Sequence, residues 1–158
     1  DGRIVQVGPP LEVYRNPADT FVAGFLASPP MNLLDARLGG QTGLDAVELP
    51  PVGLPLLEDH KRALAGRAGE TITLGIRPED LDAEPSGAEQ GAMTVTVVAV
   101  EALGPEVILV GALPGGQEVS ARLESDFAAP PGSEVRLHVD LDRLNFFDVD
   151  TGRAVTAG

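Results

Sequence analysis

The chain is poor in the residues that carry redox, metal and nucleotide chemistry: it has no cysteine, no tryptophan and a single lysine, Lys61. Without cysteine it can form no disulfide, no thiol nucleophile and no thiolate metal site. No stretch approaches the roughly 18 consecutive apolar residues of a membrane helix, and the first residues lack the basic-then-apolar order of a signal peptide. These absences predict a cytoplasmic protein.

Motifs of catalysis are also missing from the sequence. A phosphate-binding loop of the G-x-x-x-x-G-K-[ST] type needs a lysine after glycine, whereas Lys61 follows His60. Neither the dinucleotide fingerprint G-x-G-x-x-G nor the nucleophile elbow G-x-S-x-G occurs. His60 and His138 have no second ligand at metal spacing, so we interpret His60 as a solvated helix residue and His138 as pointing out of a strand. We therefore expect no catalytic residue, no metal site and no cofactor here.

The charge of the chain disfavours nucleic acid as a partner. Its 158 residues carry a formal net charge of −13, which is the wrong sign for a phosphate backbone. Apolar residues make up 43%, enough for a packed core, and 19 glycines and 14 prolines are spread along the chain as turns between short elements would require. The composition therefore indicates many turns between short elements and disfavours an all-helical bundle.

The first 28 residues predict a short strand followed by a helix. Asn16 is a good N-cap, Pro17 suits the first helical position, and the prolines at 29 and 30 end the helix. One face of this helix is apolar and has to be covered; it is formed by Phe21, Val22, Phe25 and Leu26.

From residue 31 onward, the alternation of apolar and polar residues predicts a small barrel of short strands. The expected strands are 31–38, 45–49, 71–76, 93–103, 106–111, 117–123 and 135–139. A short helix is expected over 56–64 and an exposed loop over 82–91. Gly104 and Pro105 predict a hairpin turn, as do residues 150–152.

An internal similarity predicts that the barrel is built from two related halves. Residues 71–81 (TITLGIRPEDL) and 134–144 (EVRLHVDLDRL) align without gaps at an offset of 63, with Leu74 matching Leu137 and Leu81 matching Leu144. Each copy is a strand that enters an acidic turn and ends in leucine. We interpret the acids of both turns as solvated.

Two adjacent phenylalanines follow the second copy. In a strand, Phe146 and Phe147 would face opposite sides, so we expect one to fill the core and the other to stay half-buried unless a lid or partner covers it.

Several blocks of the sequence resemble one known family. Residues 2–14 (GRIVQVGPPLEVY) and 16–32 (NPADTFVAGFLASPPMN) are similar to the stretch that ends the ATPase domain in sugar-importer ABC ATPases of the maltose and glycerol-3-phosphate type. Residues 74–81 (LGIRPEDL), 100–106 (VEALGPE), 143–148 (RLNFFD) and 151–153 (TGR) resemble markers of that family's C-terminal regulatory region, an OB-like barrel called a TOBE or MOP-like domain. Together these blocks span nearly the whole chain.

The resemblance implies that residues 1–28 are the tail of an ATPase domain and residues 29–158 an OB-like regulatory domain, while ATP and Mg²⁺ bind in a domain that is not in this sequence. It implies a cytoplasmic position at the inner face of the membrane, contact with a second copy of the chain and with permease subunits through the ATPase domain, and in some members a regulatory protein as partner. The candidate structural or interface residues are Phe21, Phe25, Arg77, Pro78, Glu79, Gly104, Glu106, Asn145, Phe146 and Phe147.

Two alternatives remain open at this point. MOP-like barrels also bind oxyanions such as molybdate, although a chain with one lysine and a net charge of −13 offers few cations for that purpose. Nucleic-acid binding by an OB-like barrel is the weaker alternative, because it needs a basic groove with stacking aromatics.

Overall fold

The computed structural model describes residues 29–40, 43–50, 52–85 and 90–155. The strand and helix expected within residues 1–28, with Phe21 and Phe25, lie outside this part of the chain. In the described ranges the strands are β1 (Asn32–Gly39), β2 (Ala46–Leu49), β3 (Val52–Pro55), β4 (Thr71–Ile76), β5 (Leu81–Asp82), β6 (Gln90–Leu103), β7 (Glu106–Ala112), β8 (Glu118–Glu124), β9 (Glu134–Asp140) and β10 (Asn145–Phe147).

Three short helical segments connect these strands. Helix α1 (Glu58–Ala63) lies between β3 and β4, as the sequence predicted. Single-turn 3-10 helices form the first acidic turn (Pro78–Asp80) and the second acidic turn (Leu141–Arg143). The fold is therefore mainly β, which confirms the predicted class.

The strands form two five-stranded antiparallel sheets with the same internal order. The first sheet has the order β10-β4-β1-β2-β3 and the second β5-β9-β6-β7-β8. We call β1–β4 the first half and β6–β9 the second half. In each half the fourth strand lies beside the first, so the two halves share one topology and the predicted duplication is confirmed.

The duplication extends to the hydrogen bonds of the backbone. Leu38 N–H donates to the Glu70 carbonyl and Gly69 N–H to the Leu38 carbonyl; in the second half Val97 N–H donates to Ser133 and Gly132 N–H to Val97. Gly69 and Gly132 are separated by the same offset of 63 and have φ of 88° and 89°. Both positions need glycine, because side chains strongly disfavour positive φ.

Two short strands, β5 and β10, connect the halves, because each pairs with a strand of the other half. After the first acidic turn, β5 leaves the first half and pairs with β9, with Leu81 opposite Val139. After the second acidic turn, β10 leaves the second half and pairs with β4, with Phe146 opposite Leu74. Each half thus completes the sheet of the other, and neither sheet is built from one half alone.

A single large core lies between the sheets and contains residues from both halves. Its fully buried members include Leu38, Val47 and Leu74 from the first half and Leu109 and Leu137 from the second. Burying such a leucine side chain contributes about 1.5–3 kcal/mol. The alternation of buried and exposed positions along β1 and β8 is what placed these strands correctly from the sequence.

Three strands were not predicted: β3, β5 and β10. They are two to four residues long and include Gly53, Pro55 and the adjacent phenylalanines 146 and 147. No alternation can be recognised over so few residues, so their pairing depends on the neighbouring strand rather than on their own pattern.

Candidate functional site

The two acidic turns meet where the halves cross, and their charges are arranged in opposite order. Arg77 and Asp80 bracket the first turn, and the residues at the equivalent positions of the second, 63 residues later, are Asp140 and Arg143. Arg77 is 5% exposed, and Pro78, which follows it, is buried. The sequence interpretation concerned only the acids of these turns, and it gave no indication that Arg77 and Pro78 are buried.

Asp80 is the member of this cluster whose ionisation is most affected. The pKa of Asp80 is raised to about 6, mainly by burial and in smaller part by the nearby Glu79 carboxylate. Arg143 and Arg77 lower the pKa of Asp80, but their effect is smaller than that of desolvation. Glu79 itself is exposed. The expectation that water equalises all these acids is therefore wrong for Asp80.

Both adjacent phenylalanines are buried, which corrects the expectation that one would be half-exposed. Phe146 is 5% exposed and belongs to the large core, whereas Phe147 is 0% exposed and packs against Met31 and Ala154 on the opposite face of the sheet. The chain that follows folds back and pairs Ala154 with Phe147. The lid that the second ring required is thus supplied by the chain itself.

The returning chain is held by Asp148. Its carboxylate accepts hydrogen bonds from the N–H groups of Asp150 and Thr151 at 2.9 Å, and Arg67 donates to it at 3.1 Å. These bonds lower the pKa of Asp148, the backbone bond from Thr151 most. The predicted turn at residues 150–152 is confirmed, with Gly152 N–H donating to the Asp148 carbonyl.

Gly75 allows Phe147 to be covered. A Cβ at this position would lie 2.8 Å from Phe147 Cε2 and 2.5 Å from Met31 Sδ. The space above β4 is filled by those two side chains, so the backbone of Gly75 has to come close to both.

His60 is a structural residue of α1 rather than a solvated one. Its Nδ1 accepts a hydrogen bond from Leu57 N–H at 3.1 Å, which satisfies one of the free donors at the start of the helix. Its ring packs edge-on against Phe146 with 5.2 Å between the ring centroids. Desolvation lowers the pKa of His60, and Asp142 opposes this effect. Asp59 and Lys61, which flank His60 in the sequence, gave no sign of its contact with Phe146.

Gly104 and Glu106 lie at the β6–β7 hairpin, as predicted. Gly104 is exposed and has φ of 58°, and Leu103 pairs with Glu106 across the two-residue turn. The Glu106 carboxylate lies 3.8 Å from Arg122 on β8. Asn145, by contrast, lies on β10, where its side chain donates to the Arg143 carbonyl of the second acidic turn. The candidate residues therefore fall into two groups, one at the crossing and one at this hairpin.

Asn32 joins the two sheets and was missed in the sequence. Its Nδ2 donates to the Ile76 carbonyl at 3.0 Å and to the Ser120 carbonyl at 2.9 Å, and its Oδ1 accepts from Ser120 N–H at 2.8 Å. Asn32 is only 9% exposed. The sequence could have shown this role, because Asn32 is a polar residue on the face of β1 that is otherwise apolar.

No group of three or more histidine, aspartate or glutamate side chains in the described ranges is placed to hold a metal ion. No helix in this part of the chain is long and apolar enough to span a bilayer.

The fold and this junction define a class of protein: a duplicated small β-barrel whose halves exchange strands at two charged turns. Two family models match in sequence, the MalK OB fold domain over residues 28–81 and the TOBE domain over residues 74–147. Over residues 28–147 the chain belongs to the MalK-type OB-fold and TOBE domain families, as the resemblance implied. Both models describe non-catalytic domains.

Relatives with a curated name match nearly the whole chain. The sn-glycerol-3-phosphate import ATP-binding protein UgpC of Cupriavidus metallidurans is 37% identical over 99% of this chain, and that of Salmonella typhimurium 38% identical over 95%. The chain spans 42% and 40% of the length of these two relatives.

One solved structure shares the fold. The cytoplasmic molybdate-binding protein ModG, in a crystal form with molybdate bound, covers 73% of this chain and is itself covered to 94%, with a TM-score of 0.50 and 17% sequence identity. At that identity the likeness concerns the fold alone.

Proposed function

We propose that this chain is the regulatory domain of an ATP-binding subunit of an ABC importer for sugars or related solutes. The observation that carries the proposal is the match to import ATP-binding proteins over 99% of the chain, together with two consecutive domain models of the same type of subunit. In this role the domain has no chemistry of its own. It contacts other surfaces while an ATPase domain opens and closes.

The partners follow from that role. The first is a second copy of the chain, which supports the ATPase dimer; the second is a permease, reached through the ATPase domain at the cytoplasmic face of the membrane; the third is a regulatory protein. The surface available for contact includes the exposed apolar side chains Leu33, Val98, Leu103 and Val149. Isologous two-fold contacts are the commonest in homo-oligomers, so a self-complementary patch is the simplest arrangement.

The test is the mass in solution, by sedimentation or light scattering, of residues 1–158 and of a version that starts at Pro29. The shorter version keeps every strand and every core residue described above. We expect a dimer in both. A dimer that disappears with residues 1–28 would place the contact in that segment, and a monomer in both at high protein concentration would contradict self-association by this domain.

The boundary between the two predicted regions, at residues 28 and 29, remains a prediction, as do the interface roles of Arg77, Glu79, Gly104 and Glu106. The oxyanion alternative also remains a prediction. A thermal-shift titration with molybdate, tungstate and sulfate addresses it, since a ligand that binds only the folded protein raises its melting temperature.

A further inference from the structure

An open groove lies where the two outer strands of the second sheet meet. β5 and β8 are at opposite ends of the sheet order, yet they contact each other because the sheet curls into a barrel. The groove has a volume of about 390 Å³. We call it the seam groove; its lining residues are Asp82, Ala83, Glu84, Leu123, Glu124, Asp126, Phe127 and Ala128.

Both walls of the seam groove are held by local hydrogen bonds. On one side Glu84 N–H donates to the Asp82 carboxylate at 3.2 Å. On the other, Phe127 N–H donates to the Glu124 carbonyl at 3.0 Å and closes the turn after β8. Each wall is a hydrogen-bonded turn at the end of a barrel strand. Its backbone is therefore already ordered, and a ligand would bind with little loss of conformational entropy in the protein.

The bottom of the seam groove is apolar. Leu123 is part of the core, and Ala83 and Phe127 are partly buried and packed against it. The rim, in contrast, carries the carboxylates of Asp82, Glu84, Glu124 and Asp126, and none of the lining residues that the structure describes is an arginine, lysine or histidine. Like charges close together repel, so a cationic partner would relieve an existing cost.

The first half indicates what kind of structure fits such a seam. Ala83 corresponds to Phe146 at the offset of 63, and Phe146 is covered by His60 of α1. Helix α1 follows β3, just as the turn of residues 125–128 follows β8. The first half therefore fills the equivalent place with a short helix from its own chain.

The second half has no segment for this purpose. Its strands β8 and β9 are joined by residues 125–133, whereas β3 and β4 are joined by residues 56–70, which include α1. In the described part of the second half no helix stands where α1 stands in the first. Among the residues that the structure describes, none covers the seam there, and its rim is acidic.

We propose that the seam groove binds a short basic amphipathic helix of a partner protein, which takes the place that α1 occupies in the first half. Its apolar side chains would lie on Phe127 and Ala83, and its lysines or arginines would meet the four rim carboxylates. A second copy of this chain is a poor occupant, because its net charge of −13 would add to the repulsion. The inference rests on the proposed regulatory role and specifies the docking face and the chemistry of the regulator.

The probe is a fluorescently labelled synthetic peptide of about 12 residues, near the length at which isolated helices become marginally stable, with lysines flanking a leucine and phenylalanine face. A scrambled peptide of equal composition, which lacks the apolar face, is the peptide control. Binding to residues 1–158 is followed by anisotropy, and the mass of the protein is measured in the same samples. We expect the amphipathic peptide to bind more tightly than the scrambled one and more weakly as salt is added.

The protein variants separate the seam groove from general acidity. Glu124→Lys with Asp126→Lys reverses two rim charges, while Glu118→Lys with Glu134→Lys reverses two exposed charges at the starts of β8 and β9. We expect the first pair to weaken peptide binding by about tenfold or more and the second by about twofold or less. Phe127→Ala, which keeps all charges, should also weaken binding.

Three results would overturn the inference: no binding of either peptide, equal binding of both, or equal loss in the two pairs of charge variants. Circular dichroism of each variant checks that it is folded. The solution mass keeps the two proposals apart, since a dimer without peptide binding removes the seam groove alone, whereas peptide binding by a monomer removes the dimer role and leaves the groove.

Discussion

The first and second halves of the barrel share strand order and register. They differ in the residues that hold neighbouring strands together. Asn32 pairs with Ile76 in the first half, and Gly91 pairs with Val139, the equivalent of Ile76, in the second. Asn32 makes three hydrogen bonds to the neighbouring backbone, whereas a Cβ at Gly91 would lie 2.8 Å from Leu54 Cδ2. The same position therefore carries a hydrogen-bonding side chain in the first half, Asn32, which we call the polar clasp. In the second half it carries a glycine whose backbone lies close to Leu54.

The hairpins differ as well. The pairing of β1 with β2 covers three residue pairs, ending in Gly39, whereas β6 and β7 remain paired out to Leu103 and Glu106. The comparison shows that register is preserved where one face is buried, because a slip of one residue would expose the core face. Loops and hairpin ends, which are not held by the core, have diverged.

The largest expected effect concerns Phe147, whose equivalent in the first repeat is the exposed Glu84. Phe147→Ala should lower the free energy of unfolding by about 3–5 kcal/mol, because a fully buried ring leaves a cavity beside Gly75 and Met31. Glu84→Ala should change it by no more than about 0.5 kcal/mol. Urea denaturation followed by circular dichroism measures both, and similar losses in the two variants would contradict the assigned packing.

A smaller effect is expected at the polar clasp. Asn32→Ala should destabilise the protein by about 2 kcal/mol, because it leaves buried backbone groups at Ser120 and Ile76 without partners. The control is Gln117→Ala: this side chain also bridges to β1, at Asp35, but in solvent, so water can replace it and the loss should stay near 0.5 kcal/mol or less. Equal losses in urea denaturation would show that the clasp is not specific to Asn32.

The smallest effect has the opposite sign and concerns Asp80. Because its pKa is raised to about 6, the folded protein binds the proton more tightly than the unfolded chain; this contribution to stability is present at low pH and is lost as the pH rises through about 6. Asp80→Asn should therefore stabilise the protein at pH 7 by about 1 kcal/mol, a figure reduced for solvent screening of a half-buried group.

The pH dependence provides the check on Asp80. At about pH 4 the wild-type carboxyl is already protonated in the folded protein, so the variant and the wild type should have nearly the same stability. Asp142→Asn, in the exposed part of the second acidic turn, is the matched control and should not stabilise the protein at pH 7. A stabilisation by Asp80→Asn that is the same at both pH values would exclude titration of Asp80 as its cause.

The strands of five or more residues and the four-residue β2 could be predicted from the sequence, whereas β3, β5 and β10 could not. The pattern of β4 placed it at 71–76, the bounds that the structure has. In β10, two consecutive phenylalanines give no alternation, and both are buried because one faces the core and the other is covered by the returning chain. The lid over Phe147 comes from Met31 and Ala154, which lie far apart in sequence, so only the folded chain brings them together.

The candidate site could be predicted in part. The acidic turns and their repetition were visible at the offset of 63, but the repeat was recognised only from residue 71, although Gly69 and Gly132 extend it. The inverted order of Arg77 and Asp80 relative to Asp140 and Arg143 was in the sequence too. The sequence did not show what this inverted order means, because nothing local indicates that the two turns lie close together in the fold.

The sequence by itself determined the mainly β character, most strands that line the core and the existence of two related halves. These follow from composition, from alternation within single segments and from the internal similarity at an offset of 63. The tertiary structure decided which sheet β5 and β10 join, the burial of His60 and Phe147, the raised pKa of Asp80 and the open seam of the second half. The physical reason is the same in each case. Desolvation, hydrogen bonding and charge interaction depend on the distance between segments that the sequence separates by about 40 residues or more, and only the fold sets those distances.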